Sequence, residues 1–98
     1  MFEIFHSPAA DNEILEAAKW YDLQQEGLGS KFIDDLEILE NYMETNPLLF
    51  PQKYRTIRQA SMKRFPYVIL FKVEQNAVFI LSVFNCYQNP RKKKIRLK

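Results

Sequence analysis

The stretch YVILFKVEQNAVFILSVF, residues 67–84, decides the fold. It holds two runs rich in β-branched and aromatic side chains, residues 67–74 and 77–84, and such side chains suit a pleated, half-buried surface. The polar residues Glu74 to Asn76 are few enough to form a hairpin loop. Because the middle of each run is almost wholly apolar, both faces should be covered, or one covered and the other lined by a groove. The stretch therefore predicts a β-hairpin at the centre of a sheet.

The chain before this hairpin begins with a predicted strand over residues 2–6 and then a helix. Ser7 suits the N-cap position, where its side-chain oxygen accepts a hydrogen bond, and Pro8 suits the first helical position, where its missing N–H costs nothing. Residues 27–29, Gly-Leu-Gly, are predicted to end this helix, because glycine accepts the left-handed cap conformation. Apolar residues that recur at helical spacing predict the buried face of this helix. They are Ile14, Ala17, Ala18 and Tyr21.

A second helix is predicted from Ser30, taken as its N-cap, to Asn46. Pro47 should stop it, since the residue before a proline is disfavoured in the helical region. The turn between the two helices is short, which is typical of an antiparallel helical hairpin. Its acidic residues are interpreted as a solvated face. The apolar stripe of this helix repeats at helical spacing: Phe32, Leu36, Leu39 and Met43.

The segment before the central hairpin predicts a connector over residues 48–52, whose apolar side chains plug the core, and a strand over residues 53–58. Pro66 cannot donate a ladder hydrogen bond and predicts a bulge or an edge. The fold class is therefore α+β: an N-terminal strand, an antiparallel helical hairpin, then a three- to four-stranded antiparallel sheet. All 98 residues form a single domain, with residues 91–98 as a basic C-terminal tail.

Charge is distributed very unevenly along the chain. Residues 1–50 contain eleven acidic and two basic side chains, whereas residues 51–98 contain twelve basic side chains and one acidic one. Such asymmetry favours a polyanionic partner for the second half. The single cysteine, Cys86, forms no internal disulfide and indicates a reducing, cytoplasmic compartment. We expect neither a signal peptide nor a membrane span, because no apolar run is long enough.

Few kinds of active site fit this composition. The chain has one histidine, His6, and one cysteine, without metal-ligand spacing, so we expect no metal and no cofactor. It has neither a Gly-x-Ser-x-Gly elbow nor a glycine loop for a nucleotide. What is left is a set of basic residues interleaved with tyrosines, which suits RNA or a protein that handles nucleic acid. The set comprises Lys53, Arg55, Arg58, Lys63, Arg64, Arg91, Lys92, Lys93 and Lys94.

The order of elements and several short motifs resemble the RelE/ParE superfamily of bacterial type II toxin–antitoxin toxins, over nearly the full chain. The motifs are Gly-Leu-Gly at 27–29, Asn-Pro at 46–47, Phe-Pro at 50–51, Arg58, Arg-Phe-Pro-Tyr at 64–67, Val-Phe-Asn at 83–85 and Asn-Pro at 89–90. The resemblance implies a small cytoplasmic toxin that inhibits growth and is held inactive by an antitoxin in a hetero-oligomer. ParE-like members inhibit DNA gyrase by binding it, and RelE-like members cleave mRNA on the ribosome.

Two departures from the family pattern bear on this choice. Many relatives carry His where this chain has Asn85, and Arg where it has Gln88. An amide positions a phosphate but does not exchange a proton. Cleavage of RNA would then fall to Lys63 or Arg64 for charge stabilisation, with Tyr87 or a lysine for proton transfer. By resemblance, the long helix over residues 32–43 and the Phe-Pro-Tyr motif at 65–67 favour the ParE-like branch. For binding the target or the antitoxin, the resemblance and the basic set together nominate Lys53, Arg55, Arg58, Asn85, Gln88, Asn89, Arg91, Lys92, Lys93 and Lys94. We expect antitoxin carboxylates opposite Arg55, Arg58 and Arg64.

Overall fold

The computed structural model describes residues 1–87. It contains two α-helices, one short 3₁₀ turn at Pro47–Leu49 and five strands. In chain order these are β1 (Glu3–His6), α1 (Pro8–Gln24), α2 (Leu28–Thr45), β2 (Gln52–Tyr54), β3 (Ile57–Ser61), β4 (Tyr67–Glu74) and β5 (Ala77–Asn85). The predicted α+β class and the order of elements are confirmed, and the predictions for Gln88 to Lys98 lie outside the described residues.

The five strands form one sheet in the order β1-β5-β4-β3-β2, so the predicted β4–β5 hairpin occupies its centre. Strands β2 to β5 pair antiparallel, so the part of the sheet that follows the helices has four strands, within the predicted three to four. Strand β1 adds to β5 in parallel, with Phe5 opposite Phe79. The sequence predicted β1 but not its parallel partner. That pairing brings the start of the chain beside residues that lie more than 70 positions later.

Helix α1 begins as the sequence predicts. The Ser7 hydroxyl accepts a hydrogen bond from the Ala10 N–H at 3.0 Å, and Pro8 occupies the first turn. The same hydroxyl donates to the Leu81 carbonyl at 3.0 Å. One serine therefore both caps α1 and fixes its start against β5, because a hydroxyl can donate and accept at once.

The junction between the helices differs from the prediction. Helix α2 begins at Leu28, two residues before the predicted cap Ser30, and its N-cap is Gly27 with a φ of +85°. The Asp22 carboxylate of α1 accepts a hydrogen bond from the Gly29 N–H at 2.8 Å. Asp22 of the neighbouring helix thus accepts the hydrogen bond at the start of α2, as Ser7 does at the start of α1. The helix dipole also favours a carboxylate at a helix N-terminus.

The strand predicted over residues 53–58 is instead two short strands. Strands β2 and β3 are separated by a turn at Arg55, where φ is +52°, and Thr56. The left-handed backbone at Arg55 reverses the chain and lets β2 pair antiparallel with β3. Alternation of polar and apolar residues does not reveal such a reversal, because all three side chains of β2 are exposed on this edge of the sheet and no buried side chain marks its register.

The main core lies between the helical hairpin and one face of the sheet. Phe32 and Met43 of α2 are fully buried against Ile69 and Phe71 of β4 and Ile80 of β5. An aromatic cluster closes one end of this core, where the rings of Tyr21, Phe32, Phe65 and Tyr67 lie 4.8–6.1 Å apart. Edge-to-face rings at such separations are favourable beyond their buried area. The cluster fixes the segment that precedes β4 against the helices.

A histidine–carboxylate pair joins β1 to α2 and predicts a pH dependence of stability. His6 Nε2 lies 2.6 Å from Glu40 Oε2, and the hydrogen bond raises the pKa of His6 above its ordinary value, with Asp11 adding to this effect and partial burial opposing it. A raised folded-state pKa stabilises the fold below the unfolded pKa of about 6.5, and this stabilisation is lost as pH rises through the folded value.

We therefore expect the free energy of unfolding to fall from about pH 6.5 upward. Urea denaturation at a series of pH values measures this slope. The Glu40→Gln variant serves as the control, because it removes the charge that raises the pKa of His6. An equal slope in wild type and Glu40→Gln would contradict the assignment.

Candidate functional site

The connector between β3 and β4, residues 62–66, carries the two predicted site residues Lys63 and Arg64. The Asp35 carboxylate of α2 accepts a hydrogen bond from the Arg64 N–H at 3.3 Å and lies 4.0 Å from Arg64 Nε. The Arg64 side chain is nevertheless 75% exposed, and Lys63 is exposed. The backbone is therefore anchored to the helix while both positive groups face solvent, where they can meet an anionic partner.

A groove of about 570 Å³ opens beside this connector, between it and α2. The lining residues are Asp35, Ile38, Leu39, Tyr42, Asn46, Leu49, Phe50, Ser61, Met62, Lys63 and Arg64. Most of them are apolar, and the charged ones lie at one end. The sequence predicts core packing for Leu39 of α2 and for the apolar residues of the 48–52 connector. Leu48 and Leu49 do not plug the core, because both are exposed, whereas Phe50 packs edge-to-face on Phe71 at 5.6 Å.

Arg58 holds the segment that contributes Leu49 and Phe50 to the groove. Its Nη1 atom donates to the Phe50 carbonyl at 2.7 Å and to the Leu48 carbonyl at 3.2 Å. These bonds hold the segment after the 3₁₀ turn in place, and charge-assisted bonds are stronger than neutral ones. Arg58 was predicted to bind a target or antitoxin, but this nitrogen is already engaged with the chain itself.

Lys53 and Arg55 lie apart from the groove. They occupy β2 and the β2–β3 turn, and the Arg55 guanidinium lies 5.6 Å from the centre of the Tyr54 ring. Strand β3 has five residues, which span about 16 Å, and separates this turn from Lys63. Lys53 and Arg55 are therefore separated from Lys63 and Arg64 by the length of β3.

Asn85 and Tyr87 lie at the same end of the sheet as the basic connector. The Cys86 N–H donates to the Pro66 carbonyl at 2.8 Å, which joins the end of β5 to residues 62–66. The Asn85 side-chain oxygen accepts from the Tyr87 N–H at 2.8 Å. Tyr87 itself is exposed. Lys63, Arg64 and Tyr87, the residues predicted to carry out RNA cleavage, thus lie on two segments at the same end of the sheet.

A partly buried tyrosine, Tyr67, lies beneath this end of the sheet. Burial raises the pKa of Tyr67, while a hydrogen bond to the Asn85 side chain opposes the shift and the Glu13 carboxylate adds to it. A phenol with a raised pKa stays protonated at neutral pH and makes a poor general base. The chain's one histidine is bonded to Glu40, between β1 and α2. Among the described residues, this end of the sheet presents two exposed cations, Lys63 and Arg64, and the Asn85 amide.

The remaining predicted site residues lie outside residues 1–87: Gln88, Asn89, Arg91, Lys92, Lys93 and Lys94. Within the described part of the chain, no group of three or more histidine, cysteine or acidic side chains is placed to hold a metal ion. Neither of the two described helices is long and apolar enough to cross a membrane.

The fold and the groove define a small α+β protein with a helical hairpin on a five-stranded sheet and exposed cations beside an apolar groove. Its fold is similar to a solved structure described as the chromosomal ParDE TA system from P. aeruginosa, with a TM-score of 0.76. The match covers 87% of this chain and 96% of that chain, at 15% identity. Searches of protein-family models and of curated proteins find no match. At this identity, the likeness shows the fold.

Proposed function

We propose that this chain is the toxin of a type II toxin–antitoxin module and inhibits DNA gyrase by binding it, as ParE-like proteins do. The observation that carries the proposal is the fold shared over 87% of the chain with a chain of the ParDE system. The sequence motifs that resemble the RelE/ParE superfamily support it independently, because they depend on residue identities and not on the fold. Fold alone does not determine function, so the chemistry of the site must support the same conclusion.

The chemistry of the site supports binding as the mode of action. Lys63 and Arg64 expose positive charge on an anchored connector, which favours docking on an acidic protein surface or on DNA phosphates. The nearby Asn85 oxygen is occupied by the Tyr87 N–H. An uncharged amide in that position holds the local backbone and does not relay a proton.

A second candidate is ribosome-dependent mRNA cleavage. One observation favours it: Lys63 and Arg64 lie at the same end of the sheet as Tyr87. The Cys86–Pro66 backbone hydrogen bond joins the segments that carry these residues. Cations beside a phenol supply charge stabilisation and a proton donor, which two steps of RNA cleavage require. Mapping the ends of mRNA in growth-arrested cells separates the two candidates, because only ribosome-dependent cleavage produces mRNA cuts at particular codons.

The proposal predicts that Lys63 and Arg64 matter for growth inhibition. We expect induced wild-type protein to arrest growth, and the purified protein to inhibit gyrase supercoiling. The Lys63→Ala, Arg64→Ala double variant should need about tenfold more protein for the same inhibition, because truncating charges at an interface slows association and weakens binding. Supercoiling assays across a protein titration measure this change.

A matched control is Lys19→Ala with Lys31→Ala, which removes two exposed bases from the helices and should inhibit like wild type. Supercoiling that is unaffected by wild-type protein at every concentration would reject gyrase as the target. Harmless expression of the wild-type chain would reject the toxin function itself.

A further inference from the structure

We propose that Glu13 of α1 is a positioning residue for the site: it binds a bulge in β5 and thereby sets the face of the sheet on which Asn85 lies. The inference rests on the proposed function and deepens it, because it names the group that places the end of β5 beside the 62–66 connector. The sequence predicted no role for Glu13 in the site.

The bulge is an extra residue in β5. Phe71 of β4 pairs with Ile80, and the preceding residue, Leu70, pairs with Ser82. Strand β5 therefore advances by two residues where β4 advances by one, and Leu81 is the extra residue. Because alternate residues of an unbroken strand share one face, the extra residue exchanges the two faces for the rest of β5.

This exchange decides which side chains of β5 meet the helices. Before the bulge, Val78 and Ile80 lie in the main core, whereas after it Val83 lies there. Asn85 follows on the same face as Val83, where its side chain forms a hydrogen bond with Tyr67. In a strand without the bulge, the even-numbered residues would continue to face the helices, and Asn85 would lie on the other side of the sheet.

Helix α1 holds the bulge through two side chains. The Glu13 carboxylate oxygen Oε1 accepts hydrogen bonds from the Val83 N–H at 2.9 Å and from the hydroxyl of fully buried Ser82 at 3.0 Å. The Ser7 hydroxyl donates to the Leu81 carbonyl at 3.0 Å. A bulge disrupts the ladder locally, and a buried donor that loses its acceptor is costly. Glu13 therefore stabilises the bulged register by accepting from two buried donors.

The end of β5 transmits this placement to the site. The Asn85 side-chain oxygen accepts a hydrogen bond from the Tyr87 N–H at 2.8 Å. The Cys86 N–H donates to the Pro66 carbonyl at 2.8 Å, which joins β5 to the 62–66 connector. A slip of one residue would bring a different backbone group opposite Pro66. The bulged register is therefore the one that holds Tyr87 at the same end of the sheet as the cations of the connector.

The test compares Glu13→Ala with wild type in the full-length chain. We expect the variant to need about tenfold more protein for the same inhibition of gyrase supercoiling, because the end of β5 loses the hydrogen bonds that fix its register. In heteronuclear NMR spectra, the backbone amide of Tyr87 and the side-chain amide of Asn85 should shift. The Val83 amide should exchange with solvent about tenfold faster or more, because its acceptor is gone.

Glu13→Gln separates hydrogen bonding from charge. Its side-chain carbonyl oxygen can accept from both donors, so inhibition should return to within about twofold of wild type. Glu16→Ala removes the same charge from an exposed position on α1 and should behave like wild type in both measurements. A Glu13→Gln protein as defective as Glu13→Ala, or an equal loss in Glu16→Ala, would assign the effect to charge and overturn the proposal.

Two further variants separate positioning from a general loss of stability. Phe5→Ala removes a ring that stacks on Phe79, at the other end of β5, and should inhibit like wild type although it unfolds at a lower urea concentration. An equal loss of inhibition in Phe5→Ala and Glu13→Ala would overturn the proposal. Ser82→Ala removes one of the two donors to Glu13 and provides the same test, with a smaller expected effect, should Glu13→Ala fail to fold.

The measurements also separate this proposal from the proposed function. Wild-type protein that leaves supercoiling unaffected would reject gyrase as the target, and the NMR comparison would still decide whether Glu13 fixes the position of Asn85. Wild-type inhibition that persists unchanged in Glu13→Ala would refute the positioning role and leave the proposed function intact. Unshifted Asn85 and Tyr87 amide signals in Glu13→Ala would refute the role of the bulge whatever the level of inhibition.

Discussion

Phe32→Ala is expected to lower the free energy of unfolding by about 4 kcal/mol, the middle of the range for removing a buried aromatic ring. Phe32 is fully buried and contacts three other rings: Tyr21 at 5.6 Å, Phe65 at 5.2 Å and Tyr67 at 5.0 Å. These rings come from α1, the connector and β4, so the cavity cannot be filled by moving one flexible side chain. Urea denaturation followed by circular dichroism measures the loss.

The matched control for this variant is Phe5→Ala. Phe5 also stacks on a second ring, Phe79 at 5.5 Å, but it is 45% exposed on edge strand β1. Its removal should cost about 1 kcal/mol, since less apolar area is lost and no closed cavity forms. Equal losses in the two variants would contradict the central place given to Phe32. Phe32→Ala should also loosen the connector that carries Lys63 and Arg64, because Phe65 of this connector packs against Phe32 in the aromatic cluster.

Gly29→Ala is expected to destabilise the protein by about 2 kcal/mol, although helix propensity alone favours alanine by about 1 kcal/mol. A Cβ at this position would overlap the Ala18 carbonyl oxygen and lie 2.8 Å from Asp22 Cγ. The oxygen belongs to the backbone of α1, so relief requires the two helices to separate. Overpacking of this kind typically costs 1–3 kcal/mol, and separation would also lengthen the Asp22–Gly29 hydrogen bond.

Ser30→Ala provides the comparison within the same helix. Ser30 is exposed, and it lies inside α2 rather than at its cap. Its substitution should change stability by less than about 0.5 kcal/mol. Thermal unfolding of the two variants tests whether the start of α2 is stabilised by close packing on α1 or by a local cap at Ser30. A Gly29→Ala protein as stable as wild type would show that the helices do not approach as described, and a large loss in Ser30→Ala would restore the cap predicted from the sequence.

For the site, the sequence predicted the charged residues but not the surface that surrounds them. Lys63 and Arg64 were identifiable because they are basic residues next to a proline-containing break before a strand. Ile38 and Leu49 were not identified, because a leucine or isoleucine at helical or connector spacing predicts core packing in most proteins. Their exposure depends on how α2 lies against residues 47–51, and Arg58 fixes that segment through side-chain hydrogen bonds to the Leu48 and Phe50 carbonyls.

The sequence by itself determined the order of elements, the β4–β5 hairpin, the Ser7–Pro8 helix start and the α+β class, because each depends on neighbours within about ten residues. The tertiary structure decided the parallel pairing of β1 with β5, the start of α2 at Gly27 rather than Ser30, the reversal at Arg55 and the separation of the basic residues. Each of these depends on partners distant in sequence or on a backbone conformation that composition does not encode. The local periodicity of the sequence indicates which side chains are buried. The packing of the whole chain determines which residues they contact.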